Sequence, residues 1–253
     1  MINLAGRTAL IAGASSGLGA GFARVLARAG GRVVLGARRI ERVEALEREL
    51  ADAGAEALAV SLDVTEEASV IAAYDRAEAR FGIVDTVVAN AGIAAGGRST
   101  AVPASDIRRV IDTNLVGAYL VAREGARRLI ASGSRDREDG RIILIGSVTA
   151  GQVHTGDAAY AASKAGIAHL GRQFAREWIR QGINVNTIQP GWIHTEINDA
   201  WYRSDASRGA IAGLPRRRMQ EADSLDAMLV YLASDCSKAV TGAVFTIDDG
   251  QSL

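Results

Sequence analysis

The chain has 253 residues, enough for one α/β domain with a sizeable core, and nothing in its composition predicts a metal site. Its 29 basic and 29 acidic side chains balance, so no nucleic-acid or membrane surface is indicated, and no stretch approaches the roughly 20 apolar residues of a membrane span. The single cysteine cannot form an internal disulfide and the first residues lack a signal-peptide pattern, so we expect a cytoplasmic protein.

Apolar runs alternate with helix-period segments from the start of the chain, which predicts βαβ units and a parallel sheet. The apolar runs lack polar alternation, so both faces of the sheet should be covered by helices. Strands are predicted at Thr8–Ala12, Arg32–Gly36, Leu58–Leu62 and Val84–Asn90, and helices at Leu18–Ala29, Ile40–Ala53 and about Glu66–Phe81.

The second half of the chain continues the alternation. The pattern predicts a helix capped by Ser105 and ending near residue 132, a surface loop at 132–140, and a small lobe at about 193–218, where no period is clear. Further strands are predicted at Arg141–Gly146, Ile183–Gln189 and Ala243–Ile247, with helices from before Tyr160 to about Arg180 and at about Ser224–Ser234. Together these elements predict one domain over residues 1–253, with a doubly wound parallel sheet of about seven strands.

A glycine-rich turn lies between the first predicted strand and the first helix. In such a turn, backbone N–H groups and the helix N-terminus can bind a pyrophosphate. The spacing of Gly13, Gly17 and Gly19 is G-x-x-x-G-x-G rather than the common G-x-G-x-x-G. A plain strand–helix turn is the alternative, but the position of the turn in an alternating chain favours dinucleotide binding.

The end of the second strand indicates which nicotinamide cofactor is used. NAD-binding versions of this fold place an acidic residue about 20 positions past the turn, where it binds the ribose 2′-hydroxyl. Here the sequence is Gly36-Ala37-Arg38-Arg39, and a guanidinium matches a 2′-phosphate instead. We therefore expect NADPH, with Arg38 as the first contact and Ser15 as a helper, although NADH is possible. Alternatively, both arginines are simply solvated.

Tyr160 and Lys164 lie four residues apart, so they share one face of a helix. A free tyrosine has a pKa of about 10, and lowering it by about 3 units with a nearby ammonium takes roughly 4 kcal/mol. Ser147, just past the fifth strand, can hydrogen-bond a substrate oxygen. Tyr160 would then give a proton to a carbonyl in reduction and take one in oxidation.

These motifs resemble the single-domain short-chain dehydrogenase/reductase family over about residues 7–250. The resemblance implies a Rossmann-like fold, and it adds Asn114, which there binds a water on a proton path from Lys164. The implied catalytic residues are Asn114, Ser147, Tyr160 and Lys164. The predicted cofactor-binding residues are Gly13, Ser15, Ser16, Gly17, Leu18, Gly19, Arg38, Arg39, Asp63, Val64, Asn90, Ala91, Gly92, Tyr160, Lys164, Pro190, Gly191, Ile193 and Thr195.

Two departures from the family pattern lie near the glycine turn. Ala12 stands where the family usually has Thr, which removes a hydroxyl that braces the Asn90 segment and predicts a looser turn. Ala89 stands where a second Asn is frequent. The resemblance also implies a homotetramer or homodimer, in which the helices carrying Asn114 and Tyr160 form one interface.

The family places its substrate pocket after the fourth and fifth strands and under the lobe. The residues predicted to contact substrate are Ala94, Val148, Thr149, His154, Trp192 and Trp201. Their aromatic rings favour a bulky or apolar carbonyl compound. Alternatively, Trp201 and Tyr202 only pack the lobe, His154 faces solvent, and Arg216–Arg218 is a solvated charge run rather than an anion or carrier-protein site.

The sequence thus supports an NADPH-dependent carbonyl reductase or secondary-alcohol dehydrogenase acting on a small molecule. A 3-oxoacyl-thioester reductase is a close variant. A non-catalytic nucleotide-sensing regulator on the same fold is the rival of a different class, and the complete set of four catalytic residues argues against it.

Overall fold

The computed structural model describes residues 2–253. The strands of this part of the chain are β1 (Thr8–Ala12), β2 (Arg32–Ala37), β3 (Ala57–Ser61), β4 (Thr86–Ala89), β5 (Gly140–Ile145), β6 (Ile183–Pro190) and β7 (Val244–Ile247). They form one parallel seven-stranded sheet in the order β3-β2-β1-β4-β5-β6-β7. The predicted doubly wound parallel sheet is therefore confirmed.

Helices pack on both faces of the sheet. Those of the described chain are α1 (Gly17–Arg28), α2 (Ile40–Asp52), α3 (Glu67–Phe81), α4 (Ala104–Ile111), α5 (Gly117–Ala131), α6 (Ser134–Arg137), α7 (Ala158–Trp178), α8 (Asp199–Tyr202), α9 (Asp205–Gly213) and α10 (Asp226–Ala233). Buried side chains of α1, α2 and α10 form one apolar cluster with the sheet, and those of α3, α5 and α7 form a second cluster on the opposite face. Strands β1 and β5 are buried along their whole length because both of their faces meet helices.

The order of the strands reverses between β1 and β4. Successive strands from β1 to β3 are added toward one edge of the sheet, and those from β4 to β7 toward the other edge. The chain therefore leaves the neighbouring strands β1 and β4 in opposite directions, which opens a crevice between the loops that follow them. In sheets of this kind, the crevice outside the carboxyl ends of the strands at this point is where ligands bind. The fold therefore places the glycine turn after β1 beside the Asn90 segment after β4.

Several sequence predictions need correction. The long helix begins at Ala104, after Pro103 rather than after a Ser105 cap, and a π-helical turn at Asp112–Val116 divides it into α4 and α5. Residues 132–140 are not only a surface loop, because they contain α6, whose buried Ser134 hydroxyl donates to the Gln181 carbonyl at 2.6 Å. No apolar periodicity marks so short a helix, which explains the error.

The lobe after β6 contains two short helices, α8 and α9. An isolated parallel bridge between Ile193 and Gln220 joins its two ends. Among residues 2–253, no helix is both long and apolar enough to cross a membrane. Within the same residues, no group of three or more His, Cys, Asp or Glu is arranged to hold a metal ion.

Candidate active site

A cavity of about 960 Å³ opens at the carboxyl ends of β1, β4 and β5 and extends under the lobe. Its size suits an extended dinucleotide together with a small substrate. Most of the residues predicted for cofactor and substrate line it. They are Gly13, Ser15, Ser16, Gly17, Leu18, Arg38, Arg39, Asp63, Val64, Asn90, Ala91, Gly92, Ala94, Ser147, Thr149, His154, Tyr160, Lys164, Pro190, Gly191, Trp192, Ile193, Thr195 and Trp201.

The glycine turn needs its glycines for close backbone packing. Gly13 has a φ of +81°, and a Cβ there would lie 2.7 Å from the Ala91 Cα. A Cβ on Gly19 would lie 2.1 Å from the Gly13 carbonyl oxygen, which no side chain could accommodate. Gly19 was predicted to bind the cofactor, but it does not line the cavity; its lack of a side chain lets α1 approach β1.

Asn90 braces this turn from β4. Its side-chain amide donates to the carbonyl oxygens of Ala12 at 3.3 Å and Gly13 at 3.2 Å. These bonds go to backbone oxygens and so do not require a hydroxyl at position 12. The looser turn expected from Ala12 stays a prediction.

The N-terminus of α1 presents unpaired donors to the cavity. Its N-cap residue, Ser16, forms no side-chain hydrogen bond to the first-turn N–H groups. Those groups, with the positive end of the helix dipole, would favour an anion at the mouth of the glycine turn. The donor set and the glycine cradle therefore fit the pyrophosphate of a nicotinamide dinucleotide.

The two arginines after β2 occupy different positions. The Arg39 guanidinium hydrogen-bonds the Ser15 and Ser16 hydroxyls, each at 2.9 Å. Arg38 is 69% exposed and its guanidinium lies 4.0 Å from the Asp63 carboxylate. Arg39 therefore contacts Ser15 while Arg38 lies beside Asp63, because successive residues leaving a strand point their side chains in different directions. The expected role of Arg38 as the first contact of a 2′-phosphate stays a prediction.

Ser147, Tyr160 and Lys164 converge at the other end of the cavity. Ser147 follows β5, while Tyr160 and Lys164 lie one turn apart near the start of α7. The Lys164 ammonium lies 5.6 Å from the centre of the Tyr160 ring and donates to the Ile145 carbonyl at 2.8 Å. The predicted spacing thus brings a phenol, a hydroxyl and an amine around one point of the cavity wall.

Thr149 orients the Ser147 hydroxyl. Both the backbone N–H and the hydroxyl of Thr149 donate to the Ser147 oxygen, at 3.2 and 3.0 Å. With its oxygen accepting two hydrogen bonds, Ser147 keeps its own hydrogen free to donate toward Tyr160 or toward a substrate oxygen.

The titration of this group departs from the expectation. Burial raises the pKa of Tyr160, the Ser147 hydrogen bond opposes that rise, and the charge of Asp157 adds to it. Burial lowers the pKa of Lys164 to about 8. In this structure the pKa of Tyr160 is therefore raised, whereas the sequence predicted that Lys164 would lower it.

Asn114 lies on the π-helical turn and is 1% exposed. Its side chain accepts from the Ile93 N–H at 2.8 Å and donates to the Ile93 carbonyl and the Ser163 hydroxyl, each at 3.0 Å. Ser163 in turn donates to the Tyr160 carbonyl at 2.7 Å. Asn114 thus ties the loop after β4 to the helix that carries Tyr160, without lining the cavity.

The segment after β6 is fixed by two glutamines that the sequence did not single out. The Gly191 N–H donates to the Gln220 side-chain oxygen at 3.2 Å, and the Trp192 N–H to that of Gln251 at 2.6 Å. Gln251 lies in the C-terminal segment, and no spacing rule connects it to Trp192. Thr195 begins the lobe with a capping box shared with Asn198.

Three aromatic rings form a wall beside Tyr160. The Trp192 ring packs edge-on against His154 at 5.6 Å and against Trp201 at 4.9 Å, measured between ring centres. All three line the cavity, so Trp201 does more than pack the lobe. Val148 was predicted to contact substrate, but it does not line the cavity. It is only 3% exposed and packs inward, because the chain enters a short 3₁₀ helix after Ser147.

Two charged residues of the cavity were not predicted. Asp157 precedes α7, and one of its carboxylate oxygens is buried without a hydrogen-bond partner in the described chain. Glu196 directly follows Thr195 in the lobe and binds Arg39 at 3.0 Å and Arg42 at 2.5 Å. Neither residue belongs to a spaced motif, so only the folded arrangement reveals them.

Comparison with known proteins agrees with this geometry. The family model described as short chain dehydrogenase matches residues 7–206. The chain is 37% identical over 249 residues to cis-4-hydroxycyclohexanecarboxylate dehydrogenase of Sinomonas cyclohexanicum, covering 96% of both chains. It is 32% identical over 252 residues to the 3-oxoacyl-acyl-carrier-protein reductase of Escherichia coli strain K12, covering 100% of both.

A solved structure is similarly close. The gluconate 5-dehydrogenase of Burkholderia cenocepacia J2315, in complex with NADP and tartrate, superposes with a TM-score of 0.93 at 35% identity. The match covers 99% of this chain and 97% of that one.

Proposed function

Because the chain belongs to the short-chain dehydrogenase/reductase family and is an oxidoreductase acting on CH–OH groups, we propose that it interconverts an uncharged, bulky ketone and its secondary alcohol with NADP(H). One observation carries the proposal. A single cavity has Ser147, Tyr160 and Lys164 at one end and an arginine–serine cluster at the other.

Proton transfer is assigned to Tyr160. Its raised pKa keeps the phenol protonated at neutral pH, which suits a general acid in the reduction of a carbonyl. Ser147 donates its free hydrogen to the same carbonyl oxygen and holds it toward Tyr160, since Thr149 already occupies its lone pairs. In the reverse direction Tyr160 first releases its own proton to solvent and then, as a phenolate, accepts the alcohol proton.

Lys164 and Asn114 support this transfer. The Lys164 ammonium, fixed by the Ile145 carbonyl, would stabilise the phenolate as Tyr160 releases its proton. Asn114 acts by position: it holds the Ile93 backbone against α7 through Ser163, so that the cavity floor and Tyr160 keep one relative geometry. As the family resemblance implies, Asn114 would also bind a water on a proton path that leads from Lys164 to solvent.

NADP(H), when bound, supplies or accepts the hydride. The glycine turn and the N-terminus of α1 would hold its pyrophosphate, and the segment Pro190–Thr195 would hold its nicotinamide end. Arg39, preorganised by Ser15 and Ser16, is the assigned partner of a 2′-phosphate. Arg38 and Asp63 lie at the adenine side.

The cavity wall supports an uncharged apolar substrate. Trp192, Trp201 and Ala94 present apolar surface, and Asp157 places a negative charge close to Tyr160. Lys164 and His154 are the basic side chains that line this end within residues 2–253. Since Lys164 is turned to Ile145, a substrate carboxylate would meet repulsion from Asp157 rather than a guanidinium clamp.

A 3-oxoacyl thioester is the second candidate substrate, because the Escherichia coli reductase of that name aligns with the whole chain. Two of the three arginines at 216–218, which could have attracted a carrier protein, are instead paired with Asp249. This pairing lowers their free positive charge and favours the small ketone.

The family resemblance and the single exposed cysteine also lead us to propose a cytoplasmic homotetramer or homodimer. Sedimentation of the purified protein would distinguish these states from a monomer.

Steady-state reduction rates test the substrate assignment. With NADPH, we expect cyclohexanone to be reduced with a kcat/KM at least about tenfold above that of 4-oxocyclohexanecarboxylate, from one added charge near Asp157. A preference for a 3-oxoacyl thioester would favour the second candidate. NADPH binding without turnover of any of the three would support the nucleotide-sensing alternative.

A further inference from the structure

The rim of the cavity between α2 and the lobe carries a cluster of opposite charges. We define this latch as Arg39, Arg42 and Glu196, together with the hydroxyls of Ser15 and Ser16. One oxygen of the Glu196 carboxylate lies 3.0 Å from an Arg39 nitrogen, and the other lies 2.5 Å from Arg42. The same Arg39 guanidinium donates to both serine hydroxyls.

The latch joins two elements that are far apart in the chain. Arg39 and Arg42 lie at the start of α2, whereas Glu196 is the first residue of the lobe after its Thr195 cap. Hydrogen bonds from Arg42, Ser16 and Arg39 hold the pKa of Glu196 at about 2. Its carboxylate is therefore ionised at every pH at which the protein would be assayed.

A carboxylate bound to a guanidinium and a serine hydroxyl satisfies the same donors that a phosphate would use. Both are oxyanions, and Arg binds both through its planar fork. A dianionic phosphate that approached Arg39 would meet the charge of Glu196 at the distance of a direct contact. The two anions therefore exclude each other or share the arginine at an electrostatic cost.

We propose that Glu196 is a determinant of cofactor specificity: its carboxylate competes with the cofactor 2′-phosphate for Arg39 and so reduces the preference for NADPH over NADH. This inference rests on the proposed use of NADP(H), with Arg39 as the phosphate partner. Glu196 lies outside the glycine turn and outside the end of β2, the two segments to which the sequence analysis assigned the choice between NADPH and NADH.

Arg42 keeps Glu196 at the rim even when a phosphate binds Arg39. It binds the second oxygen of Glu196 and does not itself contact Ser15 or Ser16. When a 2′-phosphate takes Arg39, Glu196 keeps Arg42 as a partner and stays at the rim. Its charge therefore continues to oppose the phosphate, and the loss of affinity is moderate rather than complete.

The test compares two nucleotides that differ in the 2′-phosphate: 2′,5′-ADP and 5′-AMP, each titrated calorimetrically into wild type and into Glu196→Gln. The substitution removes one charge at an exposed site and keeps the side-chain volume. We expect 2′,5′-ADP to bind about fivefold more tightly to Glu196→Gln, with 5′-AMP unchanged within about twofold. The gain should shrink as salt is raised, because the charges are exposed.

Asp199→Asn is the matched control. Asp199 lies in the same lobe, and it pairs with His194 and Arg203 instead of the latch. The same change of net charge at that position should leave the affinity for both nucleotides unchanged within about twofold.

Three outcomes would overturn the proposal: unchanged 2′,5′-ADP affinity in Glu196→Gln, weaker affinity, or an equal gain for 5′-AMP. Failure of the proposed function looks different. If wild type binds 2′,5′-ADP no better than 5′-AMP and Glu196→Gln does not change this, both the NADP(H) assignment and the competition are wrong. If wild type prefers 2′,5′-ADP but Glu196→Gln has no effect, only the competition is wrong.

Discussion

The two ends of the cavity are built differently. At the catalytic end, Lys164 and Asn114 are 4% and 1% exposed and are held by hydrogen bonds to backbone groups of neighbouring segments. At the cofactor rim, Arg39 and Glu196 are 43% and 51% exposed and are held mainly by bonds between side chains. The catalytic end is thus fixed by the fold, whereas the rim is adjustable.

Under the proposed function, this difference separates proton transfer from the choice of cofactor. Buried groups tied to the backbone keep the geometry that proton transfer requires. Exposed ion pairs contribute little to stability and respond to salt and to competing anions. We therefore expect substitutions at the catalytic end to change turnover or stability, and substitutions at the rim to change which cofactor is used.

Tyr160→Phe should have the largest effect. Removing the proton donor is expected to lower kcat by about 10³-fold, while the dissociation constant of NADPH changes by less than about threefold. Turnover measured beside NADPH titration checks both numbers, with Tyr119→Phe, outside the cavity, as the control. Substantial residual activity would mean that another group transfers the proton.

Lys164 should make stability depend on pH. Its pKa is about 8 in the folded protein against 10.5 in the unfolded chain, so the unfolded state binds more protons between these values. Stability should therefore rise with pH over this window, by about 2 kcal/mol between pH 8 and 10. Tyr160, whose pKa is raised above 10, offsets this only at higher pH.

The measurement is denaturant unfolding of wild type and Lys164→Met across this pH range. The rise should be absent from Lys164→Met and present in Lys238→Met, which changes the chain's other, exposed lysine. Parallel pH profiles in wild type and Lys164→Met would show that Lys164 is not destabilised as a cation in the fold.

At the rim, Arg39→Ala should weaken NADPH about tenfold and leave NADH within about twofold, since one charge-assisted contact to the 2′-phosphate is lost. Arg38→Ala should have a smaller effect, because Arg38 lies beside Asp63 and not beside Ser15. Arg24→Ala, which breaks the exposed pair with Glu49, controls for net charge. A larger effect at Arg38 than at Arg39 would restore the expectation from sequence.

The smallest effect is expected at the aromatic wall. Trp201→Ala removes one edge-on ring contact with Trp192, so the KM for cyclohexanone should rise about threefold with kcat nearly unchanged. Steady-state kinetics check this. A lower KM would mean that Trp201 restricts the pocket instead of forming a wall of it.

Sequence was sufficient for the parallel sheet and the main helices, but not for the π-helical turn at Asp112–Val116 or for α6. The βαβ alternation gave the sheet, and β1 was located to the residue because an apolar run ending at a glycine has few other interpretations. The pair Tyr160 and Lys164 was recognised because helical spacing determines which residues share a face.

The side-chain contacts at the rim could not be predicted from the sequence. Adjacent arginines look alike in a sequence, and only the folded structure shows that Arg39 turns to Ser15 while Arg38 turns to Asp63. Glu196 is 157 residues from Arg39 in the chain, and Gln251 is 59 residues from Trp192. Pairings at such separations follow from tertiary packing and leave no local period.

The proposed NADPH-dependent ketone reduction is tested most directly by the ratio of kcat/KM for NADPH and NADH, measured for wild-type protein with cyclohexanone as the common substrate. We expect turnover with both cofactors and a ratio above about 10 in favour of NADPH, from the charge-assisted contact at Arg39. A ratio near or below one would contradict the assignment of Arg39 as a phosphate site, and no turnover with either cofactor would contradict the proposed ketone reduction itself.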